Sequence, residues 1–285
     1  MTRSVVVMAP AKINLTLEVL GRRADGYHDL ASVFATVDVR DRVRVASSRD
    51  LDVRIAPDIG ATEGEDLATK AVRALADASG RAPLAHVRVR KRIPVAAGLG
   101  GGSTDAGAVL RALARVWRLD GLDLGAVGAR VGSDVPFFAS GAPYALVRGR
   151  GERVEPLSAP MAFWVALVDL RARLSTADVF RAHLGNRSAG ERSASLAEAL
   201  RHGTATPAVV REHLVNDLLD SAERIAPLIA EARKTAADAG IALAMSGSGP
   251  SLFALADDRA HAIRIARRLR RSGLRARAVA VGVSS

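Results

Sequence analysis

The chain has 285 residues, of which 49% are hydrophobic and 25% are charged, and it contains no cysteine. This size and balance suit one large or two moderate globular domains. The absence of cysteine excludes a disulfide scaffold and any thiolate metal site. The apolar run over residues 161–170 is much shorter than the roughly 18 residues that a membrane-spanning helix needs. Lys12 interrupts the apolar stretch after the basic start, so we expect a first strand instead of a signal peptide, and a cytoplasmic protein.

The formal net charge is +11, with 41 lysines and arginines against 30 aspartates and glutamates. A basic chain is typical of proteins with polyanionic partners, either nucleic acids or phosphorylated small molecules. The arginines are spread along the whole chain, and aromatic residues make up only 4% of it. This composition argues against the stacking platforms that bind single-stranded nucleic acid. We therefore expect small-molecule partners, without nucleic acid or membrane binding.

In the first half of the chain, the hydrophobic pattern predicts strands first and helices later. The predicted strands cover residues 5–9, 12–20, 39–46, 51–56 and 86–93. Helices are predicted over residues 65–78, over the segment after residue 102, with Ser103 or Thr104 as its cap, and over residues 123–131. Residues 144–147 and Val154 are predicted to pair as a hairpin.

The pattern starts again near residue 157, where a strand over residues 163–169 is predicted. Helical patterns cover residues 176–184, 195–201, 208–219 and 226–239, and residues 185–194 are predicted to form a surface loop. The chain ends with strands over residues 242–245, 252–256 and 275–281 and a basic helix over residues 258–271. We predict an α+β fold with two domains, residues 1–156 and 157–285.

The stretch PVAAGLGGGSTDA, residues 94–106, places four glycines between an extended run and a helical pattern. It lacks the βαβ context of a dinucleotide fingerprint, and Ser103 follows Gly102 where a Walker motif has lysine. Successive amide N–H groups at a helix N-terminus can still hold an anion. Ser103 can add a hydroxyl to a phosphate or to its magnesium ion. From this stretch by itself, a flexible strand-to-helix turn is an equal alternative.

Two other segments carry candidate polar groups. Lys12 and Asn14 project from the same face of a predicted strand, although a lysine at a strand end more often lies in solvent. Asp134 precedes an apolar Pro-Phe-Phe segment. There it is either a helix cap or a partly buried carboxylate that acts as a base beside a cation. Residues 245–255, MSGSGPSLFAL, add a glycine-serine turn between two strands.

Together and in this order, three motifs resemble the GHMP kinase superfamily over nearly the whole chain: PAKINLTLEV, PVAAGLGGGSTDA and MSGSGPSLF. GRRADGYHDLASVFATVDVRD and VGSDVPFF are similar to the branch that phosphorylates the 2-hydroxyl of diphosphocytidyl-methylerythritol in the non-mevalonate isoprenoid pathway. The resemblance implies an N-terminal ribosomal-S5-like ATP domain and a C-terminal ferredoxin-like α/β domain. It also implies ATP and Mg²⁺ as cofactors.

Carried over by motif, the resemblance makes Asp134 the base and Lys12 the cation that stabilises charge on the transferred group. It implies ATP-phosphate contacts along the glycine stretch, at Pro94, Ala97, Gly98, Leu99, Gly100, Gly101, Gly102, Ser103 and Thr104. It places the substrate at Asn14, Tyr27, His28, Thr176 and Phe180, with Tyr27 and Phe180 on opposite faces of cytosine. No motif indicates the adenine pocket or the oligomeric state.

Other interpretations of these residues stay open. Without the surrounding motif, Tyr27 and His28 would be read as surface residues of a polar turn, and Phe180 could be a core residue. Another GHMP kinase, such as a homoserine or mevalonate kinase, would share the glycine stretch but has no cytosine to bind. An RNA-binding module would require a clustered basic face with exposed aromatic residues.

Overall fold

The computed structural model describes residues 4–58, 60, 66–157, 163–184 and 188–284. Part of the predicted surface loop, residues 185–187, and the start of the apolar run, residues 161–162, lie outside these ranges. Residue 65, the predicted start of the first helix, also lies outside them. Within the described ranges, no helix has the length and apolar character required to cross a membrane.

The longest strand, the third along the chain, holds the sheet together. The strands are β1 (Ser4–Asn14), β2 (Thr16–Arg22), β3 (His28–Ser47), β4 (Leu51–Ala56), β5 (Ala85–Arg90), β6 (Tyr144–Gly149), β7 (Arg153–Leu157), β8 (Phe163–Val168), β9 (Val215–Asn216), β10 (Ala244–Met245), β11 (Leu252–Ala256) and β12 (Ala276–Val281). β3 pairs antiparallel with β1, β2, β5 and β6. It also meets β12 at Val37 and Val281, so strands of both halves of the chain share one sheet.

Helices cover this sheet. They are α1 (Leu67–Ser79), α2 (Gly101–Trp117), α3 (Leu124–Ala129), α4 (Val135–Ser140), α5 (Thr176–Arg181), α6 (Glu191–Arg201), α7 (Pro207–His213), α8 (Leu219–Ile225), α9 (Leu228–Asp238) and α10 (Arg259–Arg271). The apolar faces of α1 and α2 form one core with β1, β3 and β5. A separate core lies between α9, α10 and strands β8 and β11. This arrangement confirms the predicted α+β class.

Most predicted elements lie within a few residues of their observed positions, and the exceptions have physical reasons. β3 begins at His28, not at residue 39, because residues 31–37 are buried on both faces and therefore show no alternation. The two strands predicted over residues 5–9 and 12–20 do not separate before Lys12. The first strand continues to Asn14 with only a register shift after Pro10, and the second strand begins after Leu15. The helix predicted over residues 208–219 is divided by β9, which pairs with β2.

The predicted cap of the helix after the glycine stretch was wrong. Gly100, with φ of +69°, occupies the N-cap position of α2, and no side chain caps this helix. Ser103 and Thr104 lie inside its first turn. A glycine suits this position because the left-handed region is strained for residues with a Cβ.

A close helix crossing positions Asp134. A Cβ built on Gly107 of α2 would lie 2.5 Å from Cβ of Phe138 in α4, so only glycine permits this approach. Asp134 occupies the N-cap position of α4. The crossing therefore sets the distance between the aspartate and the start of α2.

A buried charge cluster fixes the two ends of the glycine stretch. Lys91 Nζ donates to Asp41 Oδ2 at 2.5 Å, to Asp105 Oδ2 at 2.6 Å and to the Gly101 carbonyl at 3.1 Å. Asp41 also accepts hydrogen bonds from the amides of Arg92 and Ile93. The side chains of Asp41, Lys91 and Asp105 are at most 6% exposed. Because buried charges are stable only when paired, this cluster holds the strand before the stretch against the helix after it.

Asp105 is the least well-satisfied member of this cluster. Its Oδ1 atom is buried and has no hydrogen-bond partner among the described residues. Burial raises the pKa of Asp105 from 3.8 to about 8, an effect that Lys91 partly offsets and that Asp41 reinforces. The folded protein therefore favours the protonated carboxyl at this position.

We expect Asp105→Asn to remove a pH-dependent loss of stability. Because the unfolded chain releases this proton near pH 4 and the folded chain only near pH 8, wild-type stability falls as the pH rises between these values. The neutral amide has no such dependence. The measurement is the free energy of unfolding from denaturant titrations at several pH values. Between about pH 5 and about pH 9, the value for the variant should rise relative to that of the wild type by about 2 kcal/mol or more. The same exchange at exposed Asp120 is the control, and equal shifts for both variants would contradict this assignment.

Candidate active site

Lys12 is buried at the centre of the candidate site. Its side chain is 4% exposed, and its Nζ donates to Asn14 Oδ1 at 2.7 Å. Nζ also lies 3.5 Å from Asp134 Oδ2 and 4.7 Å from the ring centroid of Phe34. The backbone amide of Lys12 donates to the Leu99 carbonyl at 3.0 Å, which joins β1 to the glycine stretch. A buried ammonium needs such partners to offset its lost hydration.

Asp134 is the partly exposed partner of Lys12. Its side chain is 29% exposed and forms no cap hydrogen bond, although the residue stands at the N-cap position of α4. Of the two alternatives drawn from the sequence, the side chain does not act as a helix cap and is instead a partly buried carboxylate beside a cation. A carboxylate with this access and this neighbour can accept a proton from a bound hydroxyl.

Asn14 is held in one orientation by its neighbours. Its Nδ2 donates to Ser32 Oγ at 2.9 Å, and Ser32 Oγ donates in turn to the Thr16 carbonyl. The amide oxygen of Asn14 therefore faces Lys12. The predicted proximity of Lys12 and Asn14 on one strand face is confirmed by their hydrogen bond.

The glycine stretch presents its backbone to the open side of this site. Residues 101–103 lie in the first turn of α2, where the backbone amides have no carbonyl one turn earlier to bond. The first internal bond of the helix is from Thr104 N to Gly100 O, and the amides of residues 101–103 donate to no protein acceptor among the described residues. Gly102 is exposed, and Pro94, Gly98, Gly100, Gly101 and Ser103 are partly exposed. The stretch thus forms an anion cradle of the kind that helix N-termini provide.

Three residues of the predicted phosphate set face inward. Ala97, Leu99 and Thr104 are between 1% and 4% exposed. The carbonyls of Ala97 and Leu99 accept from Ser251 and Lys12, and the Thr104 amide is used within the helix. Thr104 therefore has neither an exposed hydroxyl nor a free amide for a phosphate, while Ala97 and Leu99 can take part only through the backbone.

A loop from the second half of the chain, residues 246–249, packs on this stretch. Ser246 Oγ donates to the Gly98 carbonyl at 3.0 Å, and a Cβ on Gly98 would lie 2.2 Å from the Ser246 carbonyl oxygen. Asn216 Nδ2 holds the loop from behind by donating to the Met245 and Gly247 carbonyls, each at 2.9 Å. Thr176 reaches the same loop, with its Oγ1 2.9 Å from Ser248 Oγ.

Of the predicted cytosine-binding residues, His28 and Phe180 are in contact with each other, and the Tyr27 ring contacts a different side chain. The His28 and Phe180 rings stack with centroids 5.2 Å apart, and His183 approaches the His28 ring edge-on at 6.5 Å. Tyr27 is 50% exposed, and the Arg150 guanidinium lies 5.2 Å from its ring centroid. The pKa of His28 is lowered by burial and, to a lesser degree, by His183 and Arg22, which favours the neutral imidazole.

Several contributors to the site were not identified as functional from the sequence, although five of them lie within the quoted motifs, namely Ser32, Phe34, Asp41, Asp105 and Ser248. They are Ser32, Phe34, Asp41, Lys91, Asp105, Arg150, His183, Asn216 and Ser248. Each acts through a partner that is distant along the chain, so no local spacing identifies it. Within the described residues, no group of three or more histidine or acidic side chains could hold a metal ion.

Comparisons with known proteins identify the family. The model described as GHMP kinases N terminal domain matches residues 66–142, and the model described as GHMP kinases C terminal matches residues 196–274. A solved homoserine kinase from Cytophaga hutchinsonii superposes with a TM-score of 0.72 at 17% identity, covering 99% of this chain and 94% of that one. At that identity, the likeness concerns the fold alone.

Other relatives are closer in sequence. A 4-diphosphocytidyl-2-C-methyl-D-erythritol kinase from Azorhizobium caulinodans is 44% identical over 93% of each chain. A solved 4-(cytidine 5'-diphospho)-2C-methyl-D-erythritol kinase superposes with a TM-score of 0.75 at 35% identity, over 98% of this chain and 100% of that one. The predicted GHMP kinase fold is thereby confirmed. The chain belongs to the 4-diphosphocytidyl-2-C-methyl-D-erythritol kinases of the GHMP kinase superfamily.

Proposed function

We propose that this protein is an ATP-dependent kinase that phosphorylates the 2-hydroxyl of 4-diphosphocytidyl-2-C-methyl-D-erythritol in isoprenoid precursor synthesis. The observation that carries the proposal is the Lys12–Asp134 pair, 3.5 Å apart and joined to the glycine stretch through the Lys12–Leu99 hydrogen bond. The relative from Azorhizobium caulinodans, named for a kinase of this substrate, supports the choice of acceptor.

In this proposal, the chain mainly positions reactants and stabilises charge, as phosphoryl transfer requires. Asp134 accepts the proton of the attacking hydroxyl, and Lys12 stabilises the charge that develops on the transferred phosphoryl group. Asn14, whose oxygen accepts from Lys12, keeps the ammonium in place and lies within reach of the alcohol end of the substrate.

The ATP phosphates bind, in this proposal, along residues 98–103. The amides of Gly101, Gly102 and Ser103 donate to them, and the left-handed backbone at Gly98 and Gly100 curves the cradle. Mg²⁺ fits such a site, because it commonly binds one or two protein oxygens together with substrate phosphates and needs no protein cage. The Ser103 hydroxyl would hold the ion, which would neutralise phosphate charge.

We assign the two predicted domains different tasks. Residues 1–156 supply the phosphate cradle and the Lys12–Asp134 pair, and residues 157–285 supply contacts on the substrate side. Thr176 belongs to the second set and is positioned by Ser248. Residues 27, 28 and 180 bind the cytidine, with neutral His28 able to offer the base edge both a donor and an acceptor.

The experiment that tests the function is ADP release from Mg·ATP in the presence of one acceptor at a time. We expect turnover with 4-diphosphocytidyl-2-C-methyl-D-erythritol and none with mevalonate or homoserine. Turnover with one of those two alone would retain the phosphate cradle and reject the cytidine site. No turnover with any acceptor would reject the kinase assignment and favour a binding role.

We expect Asp134→Asn to lower kcat by at least about 100-fold, because the variant lacks the base. The affinity for ATP should change little, since the cradle consists of backbone amides. Steady-state kinetics and nucleotide titration measure the two effects. Asp123→Asn, the same exchange at the N-cap of α3, is the matched control and should keep near wild-type turnover. Similar kcat values for the two variants would remove Asp134 as the base.

We expect Tyr27→Ala to weaken binding of the cytidine substrate by about 1–3 kcal/mol, the range for a base stacked on an aromatic ring. Tyr27→Phe keeps the ring and serves as the control, with substrate affinity close to wild type. The KM for ATP should be the same in both variants. Calorimetric titration of the substrate decides the matter, and an unaltered Kd for Tyr27→Ala would show that the ring does not contact cytosine.

A further inference from the structure

One cavity is lined by Asn14, the hydrogen-bond partner of Lys12, but by neither Lys12 nor Asp134. It has a volume of about 770 Å³ and is walled by α7, α9, α10 and strands β9 to β11, with the turn after β1 at its inner end. We call it the arginine groove. Its floor is apolar, because Leu15, Leu243, Met245 and Leu255 line it and are at most 7% exposed. Its volume falls within the range of small-molecule sites.

The rim of the groove is positively charged. Arg211, Arg233, Arg264 and Arg268 line it, and no aspartate or glutamate among the described residues does. Two of these guanidinium groups have partners outside the lining, since Arg211 pairs with Asp257 at 2.9 Å and Arg233 pairs with Glu223 at 2.6 Å.

Arg264 and Arg268 differ from the other two. They are exposed, stand one turn apart on α10, and form no ion pair with any residue in the described ranges. Like charges at this spacing repel each other. An anion placed between them would remove the repulsion and accept charge-assisted hydrogen bonds from both.

We propose that the arginine groove binds a phosphorylated amphiphile, with its phosphate on Arg264 and Arg268 and its apolar chain on the floor. Guanidinium groups match the oxygens of a phosphate, and the floor favours a hydrocarbon body over a sugar. A second copy of this chain is a poor occupant, because it also carries a net charge of +11. The proposal does not rest on the proposed kinase function, although Asn14, the partner of Lys12, also lines the groove.

The test is calorimetric titration of the full chain with decyl phosphate below its micelle concentration, with and without excess ADP. The paired variant Arg264→Ala/Arg268→Ala should bind at least about tenfold more weakly than wild type, because two charge-assisted hydrogen bonds are lost. Arg267→Ala/Arg271→Ala is the matched control. It removes the same charge at the same spacing on α10 from residues that do not line the groove, and its affinity should match wild type.

Further titrations separate the two halves of the ligand. Inorganic phosphate and decanol should each bind at least about tenfold more weakly than decyl phosphate, since each lacks one set of contacts. Ile265→Glu, which places a carboxylate in the groove, should abolish binding while circular dichroism shows a folded chain. Displacement of decyl phosphate by ADP, equal weakening in the control pair, or no binding to the wild type would overturn the proposal.

Discussion

The burial of the Lys12 ammonium group is the constraint on which the candidate site depends. An ammonium that is 4% exposed must find partners within the protein. It finds Asn14 on its own strand, Asp134 at the start of α4 and the face of Phe34 on β3. Each partner comes from a different element, so satisfying one charge fixes the relative positions of three parts of the first half of the chain.

The contact between the glycine stretch and residues 246–249 extends this constraint to the second half. Gly98 and Gly247 approach so closely that a Cβ on Gly247 would lie 3.0 Å from the Gly98 carbonyl oxygen and 3.2 Å from Lys12 Nζ. Asn216 supports the loop from behind through two carbonyls. The two glycine motifs that stand far apart in the sequence are therefore one structural unit, and the small size of glycine matters as much as its backbone freedom.

The features predicted correctly from the residues alone are those that local periodicity reveals. The features that were missed depend on contacts between residues that are distant along the chain. Alternation along a strand was enough to place Lys12 beside Asn14. It failed at the start of β3, where burial on both faces removes the alternation. The cluster of Asp41, Lys91 and Asp105 was missed because its members are up to 64 residues apart and charged residues are otherwise typical of the surface. The family resemblance placed Tyr27 and Phe180 on opposite faces of cytosine, whereas the contact observed is between the rings of His28 and Phe180.

The use of lysine in this arginine-rich chain follows from the same geometry. Only four lysines occur, and two of them, Lys12 and Lys91, are buried around the glycine stretch. Lys91 directs three bonds to Asp41, Asp105 and the Gly101 carbonyl, which matches the three protons of an ammonium group. A guanidinium is planar and larger, so it cannot direct its donors to three such partners within the same volume. Arginine suits the exposed rim of the groove, where a phosphate can accept hydrogen bonds from the edge of the guanidinium plane. Lysine suits the position where one compact charge must join three elements.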